Sequence, residues 1–186
     1  TPNGTVSTLA GTAGVIGSTD GIGSAARFNS PRGITVDAAG NLYVTDTNNH
    51  IIRKISSTGT VSTIAGFATV VGATNAFRQF ASFSSPLGIA IDSAGNLYVA
   101  DSGNSLIRKI TPGGTVTTSF ATTSPQFITF DSLGNLFFTL DCRIRSATPK
   151  CQIGSWVSGT CQPNGSLTKT RAVSTLCPST YSTISQ

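Results

Sequence analysis

The chain of 186 residues has the length of one domain, and its composition excludes several classes of protein. Only 10% of the residues are charged, whereas about a quarter are charged in a typical globular protein. Serine and threonine occur 24 and 28 times, and all seven acidic residues are aspartate. The net charge of +5 comes from basic residues that stand singly or in pairs, so we expect no nucleic-acid partner.

The apolar segments are short. None approaches the roughly 18 residues of a membrane-spanning helix, so we expect no membrane insertion. Methionine is absent, and we therefore expect this sequence to be part of a longer product. The abundance of Gly, Thr and Ser, with no Glu, favours strands over long amphipathic helices.

A repeat with an offset of 55 residues organises the chain, since Asp37 recurs as Asp92 and Arg53 as Arg108. The opening residues 5–10 match residues 60–65, so we predict that the chain begins with the last strand of a unit. The predicted organisation is a partial blade at 1–11, full units at about 12–66 and 67–120, a degraded unit at 121–141 and a tail at 142–186.

Each full unit is predicted to form four short strands. In the first unit these are residues 33–37, 41–46, 51–56 and 60–66, and the first of them alternates apolar and polar residues as a strand requires. A turn with Asp, Gly and Asn joins the first two strands, because Gly tolerates the positive φ of a tight hairpin. We predict the same structural turn in all three units, at Asp37, Gly40, Asn41, Asp92, Gly95, Asn96, Asp131, Gly134 and Asn135.

The segment SPRGITVDAAGNLYVTDTNNHIIRKI (residues 30–55) resembles the NHL repeat, which forms a blade of a β-propeller. The resemblance is strongest over residues 11–120 and implies an all-β fold with blades of four antiparallel strands. About three units are present, whereas propellers close with roughly four to eight blades. We therefore expect an incomplete ring or a fragment of one, with strand edges that other chains complete.

All four cysteines lie in the tail, at Cys142, Cys151, Cys161 and Cys177. No Cys-x-x-Cys pair occurs, so a zinc site is not expected, and an even number of cysteines favours disulfides in an oxidising setting. Three pairings are open to them. We predict an irregular tail held by disulfides.

Two sequons, at Asn3 and Asn164, are candidate N-glycosylation sites. Attached glycans would help to keep a surface with so few charges in solution. This expectation depends on an extracellular or cell-surface location.

No catalytic, cofactor or metal residue is expected in this sequence. The aspartates Asp46, Asp101 and Asp141 end the second strand of their units, and repetition favours a structural role such as bonding backbone amides. NHL propellers include lyases, and related propellers include lactonases, which gather metal ligands at the central channel. This chain has one histidine, His50, which we interpret as a surface loop residue, and no Glu.

Two features suggest interactions. The repeated pairs Arg53-Lys54 and Arg108-Lys109 form either salt bridges to the repeated aspartates or a basic track that meets acidic glycans. Phe77 and Phe80 lie in one apolar connector without aromatic counterparts in the other, so they are either plugs between blades or interface anchors.

The sequence thus predicts an extracellular structural or adhesive building block that self-associates, as a glycosylated subunit of a fibre, appendage or matrix. Its expected partners are copies of itself or sister subunits, together with attached or bound glycans. Two alternatives stay open. One is a propeller enzyme of lyase or lactonase type with its metal site on blades outside this chain, and the other is a monomeric propeller that binds a protein or a glycan.

Overall fold

A computed structural model of the chain describes residues 4–140, 143–149 and 181–183. The fold is all-β, and the helical segments among the described residues are four single 3-10 turns: Gly23–Ala25, Thr47–Asn49, Arg78–Phe80 and Ser102–Asn104.

Three antiparallel sheets follow one another along the chain. The first contains β1 (Gly21–Ile22), β2 (Pro31–Val36), β3 (Leu42–Asp46), β4 (Ile51–Ile55) and β5 (Thr60–Ala65), in the spatial order β1-β5-β4-β3-β2. The second contains β6 (Pro86–Ile91), β7 (Leu97–Asp101), β8 (Leu106–Ile110) and β9 (Val116–Ala121). The third contains β10 (Ile128–Phe130), β11 (Leu136–Leu140), β12 (Arg143–Pro149) and β13 (Tyr181–Thr183).

The blades predicted from the repeat are therefore present. In each sheet four strands form an up-and-down meander that pairs in sequence order, and in the first sheet β1 adds a fifth strand beside β5. Hairpin signals in the sequence fix this order, since the Asp-x-x-Gly-Asn turn closes β2 onto β3, and its copies close β6 onto β7 and β10 onto β11.

The third sheet extends beyond the degraded unit that the sequence predicts to end at residue 141. Its third strand, β12, and its fourth, β13, lie in the segment predicted to be an irregular tail. The alignment of the copies also changes: Asp101 corresponds to Leu140, rather than to Asp141, because Leu140 ends β11 as Asp101 ends β7.

The inner strands β2, β6 and β10 stand side by side and join the three sheets into one stack. Their backbones touch at glycines. A Cβ on Gly88 would lie 2.5 Å from the carbonyl oxygen of Gln126 and 2.9 Å from the Cα of Phe127, and a Cβ on Gly33 would overlap the carbonyl oxygen of Leu87. Only glycine, which has no Cβ, allows the two backbones to approach this closely.

Hydroxyl groups add polar links between the first two sheets. Buried Thr45 on β3 donates to the carbonyl oxygen of Leu87 at 2.6 Å, and Thr47 donates to that of Pro86 at 2.7 Å. The second sheet has Ala100 in place of Thr45, so this hydroxyl link is absent from its junction with the third sheet.

Most of the core lies between sheets rather than within them. One cluster joins Ile52 and Ala65 of the first sheet to Phe83, Ile89 and Val99 of the second sheet and its connector. A second cluster joins Tyr98 and Ile107 of the second sheet to residues of the third, namely Ile128, Leu136, Phe138, Leu140 and Ala147. A blade is thus stable because its neighbour covers it.

The connectors that precede the first two sheets cover outer strand edges. Residues of β1 pair with β5, and in the second unit Phe77 bridges to Thr115 while the Val116 amide donates to the carbonyl oxygen of Ala76. These edges are therefore partly occupied, and the predicted edge-to-edge association does not apply to the paired positions.

The opening segment, residues 5–10, has the sequence of an outer strand but forms no strand within the described part of the chain. Val6 is 95% exposed, whereas its counterpart Val61 on β5 is 1% exposed. The predicted partial blade at the start of the chain therefore lacks its sheet in this structure.

The close contact at Gly88 gives a stability prediction. We expect Gly88→Ala to lower the free energy of unfolding by about 1–3 kcal/mol, because the methyl group forces β6 and β10 apart. Gly113→Ala is the matched control, since its Cβ would meet only the Thr111 side chain at 3.8 Å. Urea unfolding measures both, and equal effects of the two variants would contradict the role of the inner-strand contact.

Candidate interaction site

The hairpin turns predicted from the sequence are small hydrogen-bonded units. In the third one, Asp131 Oδ1 accepts from the amides of Leu133 and Asn135 at 2.9 and 2.8 Å, and Asp131 Oδ2 accepts from Asn135 Nδ2 at 2.8 Å. Gly134 has φ of +82°. The same bonds recur at the two other turns, at Asp37, Gly40 and Asn41 and at Asp92, Gly95 and Asn96. These aspartates use their carboxylates within the turn.

Buried ion pairs anchor each connector to its blade. Arg53 and Arg108 are fully buried, and each donates to the aspartate that ends the neighbouring strand, Asp46 at 2.9 Å and Asp101 at 3.0 Å. Neither arginine is available for a surface track, so that interpretation of the two arginines is wrong. The predicted salt bridge to the repeated aspartate is present within each of the first two blades.

The terminal nitrogens of both arginines also bind the connector, whereas each Nε is buried without a hydrogen-bond partner among the described residues. Arg108 donates to the carbonyl oxygens of Ser82 and Thr74 at 3.0 and 2.9 Å and to Asn75 Oδ1 at 2.9 Å. The guanidinium also lies 5.2 Å from the centre of the Phe83 ring. Arg53 makes the equivalent contacts to Arg27 and Thr19, with an ion pair to Asp20 at 2.8 Å.

Burial perturbs the charged groups of the second blade. Desolvation raises the pKa of Asp101, against hydrogen bonds from Asn104, Ser84 and Arg108. Desolvation lowers the pKa of Lys109, whose ammonium lies 5.7 Å from the centre of the Tyr98 ring. Both groups are buried within the second blade, which favours a structural role.

His50 occupies the loop between β3 and β4 with φ of +60°. Its Nδ1 accepts a hydrogen bond from the amide of Ser85 at 3.0 Å, which links the first sheet to the connector of the second. The histidine therefore joins blades rather than lying free on a surface. Groups of three or more His, Cys, Asp or Glu side chains do not occur among the described residues.

The first sheet has an open face, which we call the leading face, formed on β2 by Ile34 and Val36. Ile34 is 61% exposed, whereas the equivalent Ile89 and Ile128 are 5% and 8% exposed because a preceding sheet covers them. The outer part of this face is lined by the connector, where Ala26, Phe28 and Val44 pack together. The leading face is thus a blade interface without its second blade.

The third sheet has the complementary open face, which we call the trailing face. Ile144 on β12 is 78% exposed, whereas Ile52 and Ile107 at the same position are fully buried against the next blade. The position is fixed by register, because Ile144 lies opposite Thr139 as Ile107 lies opposite Ala100. Phe127, 67% exposed, lies on the same side.

The predicted interface residues Phe77 and Phe80 lie on the connector of the second blade, 50% and 70% exposed. The guanidinium of Arg78 lies 5.1 Å from the centre of the Phe77 ring. These side chains form a lateral apolar patch apart from the two end faces, and their interface role stays a prediction.

Sequence reasoning missed the end faces because it treated each unit alone. The signal lay in the aligned copies: Phe127 replaces a residue that is Gly33 and Gly88 in the full units.

The predicted disulfide residues and both candidate glycosylation sites, at Cys142, Cys151, Cys161, Cys177, Asn3 and Asn164, lie outside the described residues. Among described residues, no helix is long and apolar enough to cross a bilayer.

The chain matches the family model of the NHL repeat at residues 28–55 and 83–110. It is 39% identical over 95 residues to the chloroplastic protein SUPPRESSOR OF QUENCHING 1 of Arabidopsis thaliana. That match covers 50% of this chain and 9% of the relative, so the chain spans only a small part of that protein.

Solved structures share the fold over part of their length. A chain in the crystal structure of a nidogen/laminin complex is 26% identical with a TM-score of 0.52, covering 64% of this chain and 44% of that one. Virginiamycin B lyase of Staphylococcus aureus is 21% identical with a TM-score of 0.51, covering 75% and 40%. The latter similarity shows the fold alone.

The buried ion pair gives a second stability prediction. We expect Arg108→Leu to cost about 3–5 kcal/mol of folding free energy, because it leaves the buried Asp101 carboxylate without its cation and releases the connector. Arg32→Leu, at an exposed position, is the control and should change stability by less than about 0.5 kcal/mol. Chemical denaturation followed by circular dichroism measures both, and a small effect of Arg108→Leu would contradict the anchoring role.

The turn geometry predicts a pH effect. The side-chain hydrogen bond from Asn135 is the largest cause that lowers the pKa of Asp131 below its ordinary 3.8. Since the folded pKa is depressed, the turn contributes stability above pH 3.8 that is lost as the pH falls through the folded pKa. Carboxyl titration by NMR should show the pKa of Asp131 rising toward 3.8 in Asn135→Ala while that of Asp37 is unchanged. If the pKa of Asp131 is the same in Asn135→Ala as in the wild-type chain, the hydrogen bond from Asn135 is not what lowers it.

Proposed function

Since this chain carries NHL repeats folded as β-propeller blades, we propose that it is a structural building block that self-associates through its two open blade faces. The exposure of Ile34 and Ile144 carries the proposal: 61% and 78% at positions that are 8% exposed or less in the covered blades. At each end the occupant is a blade face of another copy.

The junctions between sheets within the chain indicate how much free energy a contact between two copies would contribute. Each one buries several apolar side chains from both sheets, and burying one Ile side chain contributes about 1.5–3 kcal/mol. The open faces offer the same residue types in the same strands. An apolar face left in water at each end of the stack is costly to keep, and association removes both at once.

The two faces are not copies of each other, because one presents inner-strand side chains of β2 and the other a side chain of β12. The contact is therefore heterologous, and repetition gives either a closed ring or an open filament, according to the angle between copies. A fibre, appendage or matrix subunit is the form of assembly that we propose.

The setting that we propose is extracellular or cell-surface, with glycans attached and with copies of the chain or sister subunits as partners. Support comes from the low charge content, the abundant Ser and Thr, and the two sequons. The fold also occurs in a nidogen/laminin complex, an assembly between proteins.

We propose no catalytic role for the described residues. The carboxylates of Asp46 and Asp101 are committed to buried arginines, and those of the three turns to their own backbone amides. An assembly function uses the residues as the fold arranges them.

Charge substitutions test the end faces. We expect Ile34→Asp and Ile144→Asp each to weaken association at least tenfold, because each removes about 1.5–3 kcal/mol of burial and desolvates a carboxylate. Leu133→Asp is the matched control: Leu133 is 83% exposed and lies in the hairpin turn between β10 and β11. Sedimentation velocity over a range of concentrations measures the change. A wild-type chain that stays monomeric at high concentration, or equal behaviour of all three variants, would overturn the proposal.

A further inference from the structure

We propose that residues 77–80 of the second connector bind an acidic polysaccharide, with Arg78 as the residue that binds its carboxylates. We call residues 77–80 the aromatic turn. The site rests on the proposed function only for the extracellular setting, in which such polymers occur. Its residues belong to neither the leading face nor the trailing face.

Arg78 has a backbone conformation that favours glycine. Its φ is +47°, and the residue at the same position of the first unit is Gly23, with φ of +53°. Both make the same bond, since the Gly23 amide donates to the carbonyl oxygen of Gly59 at 3.0 Å and the Arg78 amide to that of Gly114 at 2.8 Å. Glycine therefore suffices for the turn, and a strained arginine in its place points to a function of the side chain.

The fold holds the Arg78 side chain in place. Its stem lies directly on the backbone of Gly114, where a Cβ would be 2.7 Å from Arg78 Cγ, whereas a Cβ on the equivalent Gly59 would meet nothing within 4 Å. The guanidinium lies 5.1 Å from the centre of the Phe77 ring. A side chain supported on both sides loses less conformational entropy when it binds a ligand.

The donors of the Arg78 guanidinium are open to a ligand. The residue is exposed, and within the described part of the chain its side chain makes no hydrogen bond or ion pair. Arg53 and Arg108, by contrast, bind buried aspartates. A planar guanidinium with open donors binds a carboxylate through two parallel hydrogen bonds.

The charge of the connector favours an anionic ligand. Arg78 is the only charged residue of the sequence between residues 67 and 83, because Asn75 stands where the first connector has Asp20. Asn75 accepts from Arg108 with a neutral amide oxygen. The second connector thus presents one positive charge without an acidic residue of its own.

Two exposed rings flank the arginine in sequence. Phe77 and Phe80 are 50% and 70% exposed, and the first connector has Ile22 and Ala25 at these positions. The flat face of a phenyl ring packs well against the C–H groups of a pyranose ring. A uronic acid unit carries such a ring and a carboxylate together, so it matches the residues of the aromatic turn.

The backbone of the aromatic turn favours a polysaccharide over an extended peptide. The Arg78 amide binds Gly114, the Arg78 carbonyl oxygen accepts from Gly66, and the Phe80 amide donates to the carbonyl oxygen of Phe77. A peptide that adds as a strand needs free backbone groups. Binding here depends on side chains, and an assembly of many copies would engage a polymer with repeated carboxylates at many points.

Titration calorimetry of the whole chain with a linear oligogalacturonate tests the site. We expect the acid to bind at least about tenfold more tightly than its methyl ester, which keeps the sugar rings but has no charge. Arg78→Gln should weaken binding of the acid about tenfold, and Phe80→Ala should also weaken it. Arg32→Gln is the matched control, because it removes the same charge from an exposed position and should leave binding unchanged.

A second variant separates binding from folding. Arg78→Gly restores the residue of the first unit, so we expect the melting temperature to be maintained or raised while binding of the oligogalacturonate is lost. A lower melting temperature with unchanged binding would show that Arg78 has a structural role and would overturn the proposal.

The remaining outcomes distinguish this site from self-association. A chain that associates in sedimentation velocity but binds acid and ester equally, or neither, would overturn the site and leave the proposed function standing. Tighter, Arg78-dependent binding of a poly-aspartate peptide would overturn the assignment to a polysaccharide. A chain that stays monomeric but binds oligogalacturonate through Arg78 would overturn self-association and support the site.

Discussion

The constraint on which the structure depends is that a four-stranded blade has two apolar faces and cannot bury both alone. Neighbouring blades solve this by facing each other, with Ile52 and Ala65 of one sheet against Phe83 and Ile89 of the next unit. Stability is therefore a property of junctions rather than of single sheets, as in other repeat architectures. Among the described residues the first and third sheets each have one face without a neighbouring sheet, and these are the two faces through which we propose that the chain associates.

Two buried arginines supply polar interactions that complement the apolar junctions between blades. Arg53 and Arg108 hold connectors that have little regular structure, because each guanidinium gathers two backbone carbonyl oxygens and an aspartate. Burying a charge is costly unless its donors are satisfied. The connector supplies acceptors for the terminal nitrogens, though not for Nε, so arginine and connector depend on each other. The third sheet has Leu140 in place of the aspartate, and apolar packing replaces the ion pair there.

Much of the fold was predictable because its signals are local. The Asp-x-x-Gly-Asn turns and the alternation of short strands gave the hairpins of all three units, and the repeat gave their order. The burial of Arg53 was not predictable from alternation, since its acceptors lie in a connector 26 and 34 residues away. The strand β12 was missed because its sequence has lost the repeat pattern, and only pairing with β11 reveals it. The open faces are absent from any single unit and emerge only when the end units are compared with the covered one.

The replacement of glycine by Phe127 bears on the geometry of the assembly. The angle between blades in a propeller depends on how closely the inner strands approach, and at the internal junctions glycine brings the backbones into contact. A phenylalanine at the third position puts a bulky side chain, 67% exposed, where the internal junctions have glycine. A blade that docks on the trailing face would have to pack against this ring and could not bring its inner strand into the same backbone contact. The trailing face therefore does not repeat the geometry of the two internal junctions.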